Sequence, residues 1–132
     1  MELSLRRASA IAELAKAEAE GRFGRPVSVA VCDEAGFLVA FARMDGAPLR
    51  TCAIAQGKAY TAARMGMDTP DFAARLQREN LSPRAFCDDR FTEMPGGAVI
   101  RSGGRAIGGV GVSGLAPGED QEIAGLAARL EA

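Results

Sequence analysis

Histidine is absent from this chain of 132 residues, and its absence excludes more chemistry than any other feature of the composition. Without an imidazole there is no Ser-His-Asp or Cys-His catalysis, and no histidine ligand for zinc or haem iron. Tryptophan is absent too, aromatic residues make up 5% of the chain, and 16 Lys and Arg nearly balance 17 Asp and Glu. Such a chain lacks the positive surface and the stacking platforms of nucleic-acid-binding proteins.

Cysteines are few, and long apolar runs are missing. Cys32, Cys52 and Cys87 form an odd, widely spaced set. They fit neither a complete disulfide framework nor a Cys-x-x-Cys motif, so we expect reduced thiols in a cytoplasmic protein and no metal site. No apolar run approaches the roughly 20 residues of a membrane span, and the N-terminus lacks the pattern of a signal peptide. We therefore expect one cytoplasmic domain over residues 1–132, with no membrane or nucleic-acid partner.

The periodicity of apolar residues divides the chain into helices and hairpin-joined strands. Helices are predicted over four segments, at about 4–21, 49–65, 69–80 and 119–130. One hairpin is predicted from strands 27–32 and 37–43, and another turns at Gly103-Gly104 into a strand over 105–113. Both faces of the first hairpin are apolar, which predicts that it is covered on both sides. Helices gathered between two hairpins favour an α+β fold with an antiparallel sheet.

Glycine is concentrated in the second hairpin, where eight of the chain's 16 glycines lie between Pro95 and Gly114. Gly108, Gly109 and Gly111 interrupt a strand, which they weaken because glycine loses chain entropy and packs no side chain. Two explanations are open. Either a helix packs closely on the sheet at these positions, or a flat ligand or a partner backbone approaches them. The spacing matches no G-x-G-x-x-G or Walker motif, so nucleotide binding is not expected.

Lys58 stands in a largely apolar row of the second predicted helix, together with Ile54, Thr61 and Met65. In one interpretation its stem packs and its ammonium reaches water. In the other, the ammonium lies at the rim of a pocket and holds an anionic group of a ligand.

Several stretches in the same order resemble the GlcG/HbpS family of small haem-binding-like proteins, which includes the C-terminal domain of PduO-type proteins. They are residues 26–47, 57–62, 95–97 and 107–114, followed by Glu119-Asp120. The resemblance implies a profilin-like fold, in which a five-stranded antiparallel sheet has helices on both faces. It also implies a homo-oligomer, a dimer or a higher ring of dimers.

The family pattern marks six residues, which are Lys58, Thr61, Gly96, Gly97, Ser113 and Asp120. Backbone N–H groups of the two glycines can face an anion, and Thr61 lies one helical turn from Lys58. For each residue a structural role also stays open, such as a turn, a back-bonded hydroxyl or a helix-start acid. All except Asp120 are candidate ligand-binding residues, and Lys58 and Asp120 are the candidate catalytic residues.

Haem is the cofactor that the resemblance raises. Some members of the family are described as haem binders, and histidine can serve there as the iron ligand. In this chain the iron would need cysteine, methionine or tyrosine. The candidates, each of which also suits core packing, are Cys32, Cys52, Tyr60, Met44, Met65 and Met94.

Three functions fit these observations. The first is a cytoplasmic protein that binds a small anionic or flat ligand, haem among the candidates, beside the Gly-rich strand. The second is an enzyme for a small carboxylated metabolite, in which Lys58 anchors the carboxylate and Asp120 or Glu119 moves a proton at a pKa raised by burial. The third is an assembly module whose glycines serve subunit packing. Binding ranks first because no complete catalytic set is present.

Overall fold

Two hairpins and four helices make up the computed structural model, which describes residues 2–131. The helices are α1 (Leu5–Phe23), α2 (Arg50–Met65), α3 (Thr69–Glu79) and α4 (Pro117–Ala128). The strands are β1 (Ser28–Asp33), β2 (Leu38–Arg43), β3 (Gly97–Ser102) and β4 (Arg105–Ser113), and a 3-10 turn spans Pro83–Phe86. The predicted helices and both hairpins are thus confirmed, with boundaries that differ by a few residues. No helix within residues 2–131 is long and apolar enough to cross a membrane.

The four strands form one antiparallel sheet in the order β2-β1-β4-β3. The expectation of five strands is therefore wrong for residues 2–131. Between α3 and β3 the chain forms the 3-10 turn, which ends at Cys87 with a left-handed backbone, and then a loop. In that loop the N–H groups of Thr92 and Gly96 donate to side chains, and the Gly96 backbone oxygen accepts the Val112 N–H of β4 at 2.8 Å. The profilin-like topology stays a prediction of the resemblance.

Helices cover the two faces of the sheet. On one face, α1 and α4 pack against the valines of β1 and β4, including Val29, Val31, Val110 and Val112. On the other face, α2 lies over Ala30 and Cys32 through its alanines at 55, 59 and 63. The alternation of β1 between valine and small residues therefore predicted its two buried faces correctly.

The glycines of β4 allow α2 to approach the sheet at backbone distance. A Cβ atom added at Gly111 would collide with the backbone oxygen of Ala55, and one at Gly109 with that of Ala59. Close helix packing therefore explains these two glycines. Because α2 covers them, this part of the strand is closed to a flat ligand.

The first hairpin is covered less fully than predicted. Phe37, Leu38 and Phe41 are 72%, 51% and 36% exposed, and we call these three residues the β2 edge patch. The physical reason is the position of β2 at the edge of the sheet, since α2 lies mainly over β4, β1 and β3. Apolar alternation predicted the strand but could not show that it lies outside the reach of α2.

Aromatic rings hold the loop before β3 against α2 and α3. Phe91 packs near the rings of Tyr60, Phe72 and Phe86, at centroid distances of 5.7, 5.8 and 6.1 Å. The Thr92 N–H then donates to the hydroxyl oxygen of Thr61, at 2.9 Å. These contacts fix the loop that leads to Met94 and the Gly96-Gly97 pair.

Candidate functional site

A buried ion pair joins the middle of α2 to the start of α4. Lys58 is 1% exposed, and its ammonium donates to the backbone oxygen of Val112 at 2.9 Å and to Asp120 Oδ2 at 3.2 Å. The other carboxylate oxygen, Oδ1, accepts the Leu115 N–H at 3.0 Å. Asp120 reaches this position because α4 begins at Pro117, which places its acidic first turn against the end of β4. The lysine therefore ties α2, β4 and α4 together.

Burial disfavours the charged form of both partners. It lowers the pKa of Lys58, and the carboxylate of Asp120 offsets part of that effect. It raises the pKa of Asp120, and the lysine together with the Leu115 N–H opposes the rise. A buried pair of this kind is a weak source of net stability, since desolvation can exceed the attraction between the charges. Its location beside a cleft makes it a candidate functional group.

Gly96 and Gly97 make room for the lysine. A Cβ atom at Gly96 would lie 2.6 Å from Lys58 Nζ, and one at Gly97 would lie 2.6 Å from the Lys58 backbone oxygen. Their N–H groups bind protein side chains, since Gly96 donates to Gln121 Oε1 at 2.6 Å and Gly97 to Thr69 Oγ1 at 3.0 Å. The structure thus places both glycines beside Lys58, with their N–H groups turned to these two side chains.

An open cleft of about 190 Å³ lies over the ion pair, and we call it the Lys58 cleft. Its lining combines charged, hydroxyl and apolar side chains, and includes Arg50, Thr51, Ile54, Lys58, Met94, Ser113 and Asp120. Arg50 is exposed, and it makes no ion pair with any residue in the described part of the chain. The structure therefore brings Lys58, Ser113 and Asp120 together and adds a free cation.

Thr61 has a different role from the other marked residues. Its hydroxyl donates to the backbone oxygen of Gly57 at 2.8 Å and accepts the Thr92 N–H. The side chain therefore holds the loop that carries Met94, and it is not part of the cleft lining.

Sequence reasoning missed Arg50 and Thr51. The signal for Arg50 was its spacing, because residues 50, 54 and 58 follow each other at intervals of one turn on one side of α2.

Most candidate iron ligands are committed elsewhere. Cys32 is buried under α2, where burial raises the pKa of its thiol to about 12. The hydroxyl of Tyr60 donates to Asp88 Oδ2 at 2.5 Å, and the sulfur of Met44 accepts the Val27 N–H at 3.3 Å. Cys52 and Met65 are half-buried. Met94 is 45% exposed and lines the Lys58 cleft.

The Lys58 cleft does not fit haem. Pockets for drug-sized ligands occupy roughly 300–1,000 Å³, well above the volume of this cleft. A porphyrin would have to extend beyond it, over the surface around Met94. Within residues 2–131, no three side chains of the Cys, Asp or Glu type stand close enough together to hold a metal ion.

Comparison with known proteins places this geometry in a family. The chain is 36% identical over 112 residues to Protein GlcG of Escherichia coli strain K12, a match that covers 84% of this chain and 81% of GlcG. A crystal structure of an HbpS double mutant from Streptomyces reticuli superposes with a TM-score of 0.84 at 32% identity, covering 97% of this chain and 85% of HbpS.

A crystal structure of a PduOC complex with haem gives a TM-score of 0.85 at 26% identity, covering 97% of this chain and 93% of PduOC. The model of the family described as haem degrading protein HbpS-like matches residues 3–129. That match includes nearly the whole chain. The protein therefore belongs to the HbpS-like family, and the resemblance seen in its sequence is confirmed.

Proposed function

We propose that the protein binds a small anionic ligand in the Lys58 cleft. The observation that carries this proposal is the free guanidinium of Arg50 beside an ion pair that is already neutralised. Lys58 and Asp120 cancel each other in charge, so Arg50 leaves the cleft with one net positive charge. A carboxylate that enters the cleft meets the guanidinium, which binds such groups in a bidentate manner.

The geometry supports binding more than turnover. Both oxygens of Asp120 accept hydrogen bonds from the protein, so neither is an idle base facing the cleft. Arg50, Lys58 and Asp120 are the ionisable residues of the lining, and a guanidinium does not exchange protons at neutral pH. We therefore assign Lys58 and Asp120 to holding the shape and charge of the cleft, and Ser113 to hydrogen bonding with the ligand. Thr51 has a structural role, because its hydroxyl donates to the Pro48 backbone oxygen at 2.6 Å and pairs with Ser28 at 2.8 Å.

Haem is the second candidate. The family description and the haem complex of PduOC support it, and Met94 supplies an exposed thioether beside the cleft. Because the cleft is too small for a porphyrin, haem binding would use the outer surface around Met94 and would leave most of the Lys58 cleft empty.

Titration calorimetry with propionate tests the anion proposal. Wild-type protein is expected to bind it saturably at one site per chain. Arg50→Gln should weaken binding at least tenfold, since a hydrogen bond to a charged group contributes about 1.5–3 kcal/mol. Arg78→Gln is the matched control, because Arg78 is exposed on α3 and lies outside the cleft. Equal affinity in Arg50→Gln and wild type would contradict the proposal.

We also propose that the chain is one domain and acts in the cytoplasm. We further propose that it forms a homodimer through the β2 edge patch. An exposed edge strand with large apolar side chains is a surface that another chain can pair with. Analytical ultracentrifugation of wild type and Phe41→Arg tests this. A dimer that becomes a monomer in the variant supports the interface, and a monomeric wild type rejects it.

A further inference from the structure

A second groove adjoins the Lys58 cleft, and nothing in the proposed function so far uses it. It has a volume of about 280 Å³, and we call it the adjoining groove. Its lining is mainly apolar and includes Ala53, Ile54, Gly57, Phe91 and Met94. Helix α2 supplies one wall, and the loop held by the aromatic contacts supplies the other.

The two cavities share a boundary. Ile54 and Met94 line both of them, so these two side chains form the boundary over which a ligand would extend from the cleft into the groove. Met94 is unbranched and 45% exposed, and such a side chain adapts to what lies against it. Gly57 contributes no side chain, and the loop approaches it closely, since a Cβ atom there would lie 3.5 Å from the Arg90 backbone oxygen.

The two cavities differ in the side chains that line them. Arg50 and Ser113 line the cleft, whereas Phe91 and Ala53 line the groove. Asp89 and Arg90 also line the groove, and their charges are opposite. Arg90 is also held over the Tyr60 ring, at 3.7 Å from the ring centroid. The groove therefore offers apolar contact without a net charge.

We propose that the ligand class is a monocarboxylate with an apolar tail, its carboxylate in the Lys58 cleft and its tail in the adjoining groove. This inference rests on the proposed function, since it needs the carboxylate site at Arg50. It adds the apolar part of the ligand and assigns Ala53, Ile54 and Met94 to length selection. Each methylene group buried in the groove contributes about a fourfold gain in affinity, from the transfer free energy of a buried CH₂.

The test compares propionate with octanoate by titration calorimetry, at concentrations below those at which octanoate aggregates. Octanoate is expected to bind at least tenfold more tightly. Ala53→Gln places a polar, uncharged side chain at an exposed position that lines only the groove, so it should reduce that advantage and leave propionate binding unchanged. Ala74→Gln is the matched control, because it adds the same side chain at an exposed position of α3 outside both cavities.

The outcomes separate the two proposals. Equal affinity for the two acids overturns the length selection and leaves the anion site standing. Octanoate binding that survives both Arg50→Gln and Ala53→Gln overturns it too, because the acid then binds elsewhere. No binding of either acid rejects the proposed function itself, and the groove assignment with it.

Discussion

Replacement of Asp120 by asparagine probes the pair at the centre of the molecule. The substitution keeps the size of the side chain and an oxygen for the Leu115 N–H, but it removes the charge that faces Lys58. An ammonium that is 1% exposed then has one backbone oxygen, that of Val112, as its remaining partner. Removal of one member of a buried pair costs about 3–5 kcal/mol, a large share of the roughly 5–15 kcal/mol that stabilises a typical domain.

Urea unfolding followed by circular dichroism measures this cost. With a slope of about 2 kcal/mol per molar urea, a loss of about 4 kcal/mol lowers the midpoint by about 2 M. Lys58→Met should cost a similar amount, because it leaves the carboxylate buried without its cation. The double variant Lys58→Met with Asp120→Asn removes both charges, so it should be more stable than the sum of the two losses implies, by about 3 kcal/mol or more.

The wild type, the two single variants and the double variant form a double-mutant cycle. One outcome of this cycle would refute the coupling of the two charges. If each single substitution costs less than about 1 kcal/mol and the two effects add, the charges are not coupled in a dry environment. The hydrogen bonds of the Lys58 ammonium, at 2.9 and 3.2 Å, would then stabilise the fold no more than hydrogen bonds to water do. If a single variant fails to fold while the double variant folds, the coupling is established without a full titration.

Three further predictions concern other parts of the chain. Gly111→Ala should lower the free energy of unfolding by about 1–3 kcal/mol, because the added Cβ collides with the backbone of α2. Gly125→Ala should raise it by about 0.5–1 kcal/mol, because no atom lies within 4 Å of the added Cβ. Equal urea midpoints for the two variants would contradict this. Cys87 is exposed and should react with a thiol reagent at pH 8, while Cys32 should react only after unfolding. Burial raises the pKa of Cys32 from 9.0 to about 12, so between these pH values the thiol ionises in the unfolded chain before it does in the folded one. The contribution of Cys32 to stability is therefore fully present below pH 9 and is lost as the pH rises to 12. Cys32→Ala should not show this loss. Haemin should give weak, non-saturating absorbance changes, and a saturable one-to-one Soret shift that disappears in Met94→Leu would instead favour the haem candidate.

The sequence predicted the local structure well because its signals are local. The helix predicted at about 69–80 is α3, which begins at Thr69, and Gly103-Gly104 marked the turn between β3 and β4. Lys58 was singled out as a charge in an apolar row, and family resemblance placed Asp120 among the marked residues. Their direct contact joins residues that are 62 positions apart, and no pattern along the chain encodes such a distance.

Other features depended on the packing of elements that the sequence does not order. The edge position of β2 decided that Leu38 and Phe41 are exposed, although their alternation is typical of a covered strand. Gly96 and Gly97 read as a turn that could bind an anion, because their spacing does not show which side chains reach their N–H groups. Those partners are Gln121 and Thr69, which come from two different helices.

The sheet order has a consequence for how the chain folds during synthesis. Strand β1 lies between β2 and β4, so it keeps an open edge until its partners in β4 arrive, about 80 residues after β1 in the chain. At roughly 5–20 residues per second, the ribosome needs about 4–16 s to make that segment. During this interval Val29 and Val31 lack the helix α4 and the strand that cover them in the finished protein. The nascent hairpin is therefore the species that chaperones or a neighbouring chain would meet, and slow β1–β4 closure is the step expected to limit the folding rate.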